Sequence, residues 1–128
     1  MKNLDIANEW FKIAELDFKT AKFLLDMKPT PFEIICYHCQ QCAEKYLKGF
    51  IALSGDQITK THDLVLLNKI CLTYNSIFKE IENDCIELTD YGVQMRYPFH
   101  LEVEANDVNK AIESTQKIIQ LVKKYANN

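Results

Sequence analysis

The stretch Cys36-Tyr37-His38-Cys39-Gln40-Gln41-Cys42-Ala43-Glu44-Lys45-Tyr46-Leu47-Lys48 contains no glycine and no proline. At about 100° per residue, Tyr37, Gln41, Glu44, Lys45 and Lys48 fall within an arc of roughly 100°, and Ile35, Cys39, Cys42, Ala43, Tyr46 and Phe50 lie opposite. That two-sided period is that of an amphipathic helix with one face in a core. The polar arc mixes a phenol, an amide, a carboxylate and two ammonium groups. It reads either as a solvated face with Glu44 and Lys48 as an i,i+4 pair or as a functional surface.

Outward from this stretch, the helix is expected to start near Pro31 and run to about Leu53, with Gly55 as its stop. Before it, a first helix is expected from about Asp5 to Met27. There Ile6, Ala7, Trp10, Ala14, Phe18, Ala21, Leu24 and Leu25 share one face, and Pro29 and Pro31 prevent continuation. After it, Thr61 reads as the N-cap of a short helix carrying Leu64, Leu67, Ile70 and Cys71. Ser76 reads as the N-cap of another, with Ile77, Ile81, Cys85 and Leu88 as its stripe. Pro98 interrupts the run Tyr91 to His100. A last helix from about Glu104 to Tyr125 should bury Val108, Ala111, Ile112, Ile119 and Val122. The fold class is therefore all-α: an up-and-down antiparallel bundle of four or five helices, formed by residues 1–128 as one domain.

Composition agrees with that reading. Three glycines and three prolines in 128 residues are too few for the turns of a many-stranded sheet. No run approaches the roughly 20 apolar residues of a membrane span. Asp5 and Glu9 stand where an export signal needs an apolar run, so a cytoplasmic chain is expected. A net charge of −3 argues against a general affinity for nucleic acid, so any such contact must come from a local patch. The five cysteines read as reduced thiols serving as small core residues. Cys36, Cys39 and Cys42 step around a helix and diverge, so they cannot converge on a zinc ion, and no metal or other cofactor is expected.

Among the remaining candidates, Arg96 is the sole arginine beside fourteen lysines. Its planar fork suits bidentate contact with phosphate or carboxylate. It stands beside Tyr97 and Pro98, four positions before His100, a candidate general acid or base. Asp17 falls on the apolar face of the first helix. Either it is buried and needs a partner, with Arg96, Lys45 or a hydroxyl as candidates, or it sits at the wet edge of that face. His62, in Lys60-Thr61-His62-Asp63-Leu64, reads as a capping or packing residue. An Arg96 cluster with Tyr37, Gln41 and Lys45, joined by Asp17, is the arrangement these residues suggest.

Four elements occur in order: Asp17 ahead of Ala21-Lys22-Phe23-Leu24-Leu25, then Tyr37 to Lys48, then Thr61-His62-Asp63-Leu64, and then Tyr91 to Arg96-Tyr97-Pro98. Together they resemble the HEPN (higher eukaryotes and prokaryotes nucleotide-binding) family over nearly the whole chain. The resemblance implies a helical bundle that pairs as a homodimer and associates with nucleotide or RNA. It also implies partnership with a minimal nucleotidyltransferase in a toxin–antitoxin-like module, and a binding set of Tyr37, Gln41, Lys45, Lys48, Arg96 and Tyr97. Some members are metal-independent ribonucleases in which an arginine is followed, after four to six residues, by a histidine. Arg96 and His100 would be that catalytic pair, but only three residues separate them. Binding is therefore the first expectation and ribonuclease the alternative; a structural dimer without ligand is the third.

Overall fold

The computed structural model describes residues 3–92 and 102–126. Five helices follow one another: α1 (Asn3–Leu24), α2 (Phe32–Leu53), α3 (Leu64–Leu72), α4 (Glu82–Thr89) and α5 (Ala105–Ala126), with a 3-10 turn at Ser76–Ile81 before α4 and a shorter one at Asp90–Gly92 after it. No strand occurs among the described residues. The all-α bundle expected from the residue pattern is the fold.

The helix α2 is the central element. Of its side chains, Ile35, Cys36, Cys39, Cys42, Ala43, Leu47 and Ile51 are fully buried, because α1, α3 and α5 all pack against it. α1 lies along α2 through Ala7, Ala14 and Ala21, all at 0% exposure. Their seven-residue spacing keeps small side chains on one seam, which lets two helices approach closely. Phe11 completes the seam, stacking on Tyr46 with ring centroids 5.5 Å apart. Ile6 and Leu25, expected on the same face, are 49% and 37% exposed. The seam is narrower than the apolar arc of the sequence, and both residues fall beyond its margins.

The helix ends differ from expectation where local hydrogen bonds decide them. α1 stops at Leu24, and Leu25, Asp26 and Met27 continue only as i→i−3 turns. Asp63, not Thr61, caps α3, its carboxylate accepting from the amides of Val65 and Leu66. Asn75, not Ser76, caps the following turn by accepting from Ile77 N–H. In both cases the cap accepts from backbone amides left without an i−4 carbonyl. Gly55 does end α2's last turn, at φ 86°, a conformation glycine adopts without a Cβ clash. Ile81, Cys85 and Leu88 are buried as expected, as are Val108, Ala111, Ile119 and Val122, while Ile77 and Ile112 are half-buried.

All five cysteines are free and buried. Burial pushes the Cys39 thiol up to about 11 and those of Cys36 and Cys85 to about 12. Cys42 and Cys71 are raised for the same reason. They are protonated core residues at neutral pH, inert because the thiolate is the reactive form.

Candidate functional site

The α2 edge between α1 and α3 holds the densest polar network in the described residues, and it has two layers. In the outer layer, Asp17 from α1 reaches across to α2. Its Oδ2 accepts from Lys45 Nζ at 2.5 Å, and its Oδ1 lies 3.1 Å from His38 Nδ1. The Asp17 side chain is 13% exposed. It is part-buried where α1 meets α2, and of the partners the sequence suggested, Lys45 is the one present among the described residues. Placing a carboxylate there requires the compensating cation.

The inner layer is centred on Glu44. This residue and Lys48 were placed on the polar arc, read either as a solvated pair or as part of a functional surface, yet their side chains are only 5% and 9% exposed. The solvated-pair reading is overturned: the pair forms, at 2.9 Å, but inside the protein. α1 and the loop before α3 close over it. Lys48 Nζ also lies 5.7 Å above the Trp10 ring, a favourable place for a buried ammonium. The other Glu44 oxygen accepts from Gln40 Nε2 at 3.3 Å and lies 3.0 Å from His62 Nδ1. Gln40 Nε2 also donates to the His62 carbonyl at 2.9 Å. A carboxylate only accepts, so the contact assigns the His62 proton to Nδ1. The outer edge of the ring, on a side chain 53% exposed, then faces solvent.

Gln41 connects the layers to the surface, its Nε2 donating to Gln40 Oε1 at 2.7 Å. Tyr37, on the same edge, meets the His38 ring edge-on at 5.5 Å. Gly92 also reaches this network. A Cβ there would fall 2.5 Å from Gln40 Cδ, so any larger residue would push the Gln40 amide away from its hydrogen-bond partners. The chain that carries the Arg96 motif therefore leaves the described structure in contact with Gln40. Arg96, Tyr97 and His100 themselves lie outside the described residues.

Of the predicted set, the structure brings Asp17 to Lys45 and places Tyr37 and Gln41 beside them, all partly exposed. Lys48 lies beneath them, committed to Glu44 and Trp10. Sequence reasoning left His38 and Gln40 out of the site, gave Trp10 only a place on the apolar face of the first helix, and gave His62 only a capping or packing role. The Gln40–Glu44 spacing of four was legible as a helical pair; His62 and Glu44, 18 positions apart, offered no local signal. Among the described residues, no group of three or more His, Cys, Asp or Glu side chains is placed to hold a metal ion.

A helical bundle centred on such a helix, with a Gln-Gln-x-Ala-Glu-Lys run on its edge, defines a class. The HEPN domain model matches residues 7–125, and the chain belongs to that family. Two solved structures share the fold. TT1696 from Thermus thermophilus superposes with a TM-score of 0.81 at 22% identity, covering 92% of this chain and 96% of its own. ST0689, described as an archaeal HEPN homologue, gives 0.73 at 25% identity, covering 94% and 97%. No curated protein matches the chain. No helix among the described residues is long and apolar enough to cross a membrane.

Proposed function

We propose that the chain is a nucleotide- or RNA-associated binding protein that works as a homodimer, in partnership with a minimal nucleotidyltransferase. The observation that carries this reading is the α2 edge. Gln41 and Lys45 present hydrogen-bonding groups held by partners beneath them, Gln41 by Gln40 and Lys45 by Asp17, and Tyr37 stands on the same edge. Side chains held in place by a second layer lose little entropy on binding, which is how recognition surfaces are built. Arg96, outside the described residues, is assigned here as the phosphate-binding member of the set because its planar fork matches a phosphate.

Substituting Arg96 separates a ligand role from a structural one. Lysine keeps the charge but loses the two parallel bonds of the guanidinium. With ATP and a single-stranded oligoribonucleotide as probes, Arg96→Lys should weaken binding roughly ten- to a hundredfold, from the loss of about 1.5–3 kcal/mol. The melting temperature should stay unchanged. A lowered melting temperature with intact binding by the folded fraction would make Arg96 structural and remove it from the site.

The dimer has a surface to use. Ile6, Ile13, Leu16 and Phe23 line the outer side of α1 at 49%, 51%, 59% and 80% exposure. A row of this kind is what a symmetric interface covers. Sedimentation at micromolar concentration should show a dimer for the native chain and a monomer for Leu16→Glu with Phe23→Glu. A native monomer would refute the dimer.

A further inference from the structure

On the far side of α1 from Asp17, a second feature takes no part in the network above. α1 and α5 both pack on α2 but make no close approach to each other. Between them runs an open groove, formed by two adjoining cavities of about 290 and 500 Å³ that share Glu15, Tyr46 and Lys123. Its rims carry Lys12, Lys19 and Lys22 from α1 and Gln116, Gln120 and Lys123 from α5. All six are exposed. The α1 wall from Asn8 to Lys22 spans about 21 Å at 1.5 Å per residue.

The charge state of this groove differs from that of the α2 edge. There, both lysines are neutralised by a carboxylate, Lys45 by Asp17 and Lys48 by Glu44. In the groove, the one ion pair among the described residues is Lys19 with Glu15 at 3.5 Å, between side chains 72% and 51% exposed. Such a pair is strongly screened. Lys12, Lys22 and Lys123 form no ion pair among the described residues. A protein of net charge −3 thus gathers four lysines around one glutamate on a single face.

The floor indicates what lies there. Tyr46, Val122 and Ile119 are 1%, 0% and 9% exposed, so an amphipathic helix laid in the groove would gain little apolar burial from them. Phe11 and Phe18 also line the groove, half-buried, and ammonium and amide groups stand along its two rims, a combination of aromatic faces and cations that suits a single strand of phosphates, sugars and bases. We propose that the α1–α5 groove is the track for the backbone of a single-stranded RNA, separate from the α2 edge, a role that rests on the nucleic-acid reading given above. The groove supplies sequence-independent electrostatic affinity, and the α2 edge supplies recognition.

Fluorescence anisotropy with a labelled 20-nucleotide oligouridine tests it. Four neutralised phosphates give log K against log salt a slope of about −2.8, at about −0.7 for each on a single strand. Lys19→Gln with Lys123→Gln should weaken binding roughly tenfold at 0.1 M salt and make the slope shallower by about 1.4. Both side chains are exposed, and an unchanged thermal melt verifies the fold. A groove variant that binds like the native chain, while Gln41→Ala with Lys45→Gln loses binding, would overturn the track and leave the nucleic-acid reading standing. Failure of the native chain to bind oligouridine at 50 mM salt would also overturn the track; ATP binding then tests the broader reading by itself. Preference for an acidic amphipathic peptide over oligouridine would reassign the groove to a protein partner.

Discussion

Glu44→Ala is expected to lower the unfolding free energy by about 3–5 kcal/mol, the range seen when one partner of a buried ion pair is removed. The Glu44 carboxylate is the only ion-pair partner of the Lys48 ammonium among the described residues, and it also holds His62 and Gln40. With Glu44 gone, Lys48, at 9% side-chain exposure, is left as a buried charge without its ion pair, above the Trp10 ring. Removing both charges tests the mechanism. Glu44→Leu with Lys48→Met keeps volume and eliminates the unpaired ion, and should recover most of the loss, since apolar replacement of a buried pair is often neutral or stabilising. Chemical denaturation of the three variants beside the native chain measures this. A Glu44→Ala loss below about 1 kcal/mol, the range of an exposed pair, would show that water reaches the ammonium and that the network is not a closed inner layer.

Phe78→Ala should be comparably severe, at about 3–5 kcal/mol, for a different reason. Phe78 is fully buried on the 3-10 turn before α4, its ring centroid 4.5 Å from that of Phe50 on α2. Its carbonyl accepts from the buried Asn68 side chain at 3.1 Å. Truncation leaves a cavity between the turn and α2 and removes the aromatic contact, and neither loss is electrostatic. The loss should therefore be insensitive to salt, and Phe78→Leu should recover a large part of it by refilling the space. A salt-dependent loss, or no gain from leucine over alanine, would contradict a packing origin.

The two residues also show how unevenly the molecule was legible. The helix carrying Glu44 was plain from its period, and so was the burial of Cys39, Cys42, Ala43 and Tyr46, because a 3.6-residue repeat of apolar side chains needs no knowledge of neighbours. The alternation gave no weight to Phe78: the stripe Ile77, Ile81, Cys85, Leu88 assumed a regular helix, and a 3-10 turn brings a different residue inward. Asp17 stood out because a carboxylate on an apolar face demands a partner. Which partner it has depended on how α1 lies across α2.

By itself, the sequence determined the all-α class, the approximate extent of the three long helices, the burial of the cysteines and the family, since each rests on local periodicity or on ordered short motifs. Tertiary structure alone decided that Glu44 and Lys48 are inside, that His62 and Gln40 join them, and that four lysines from two helices distant in sequence rim one groove. The period of a helix tells which residues share a face. What covers that face is set by neighbouring helices, whose crossing positions follow from packing shape, and no window of sequence contains that information.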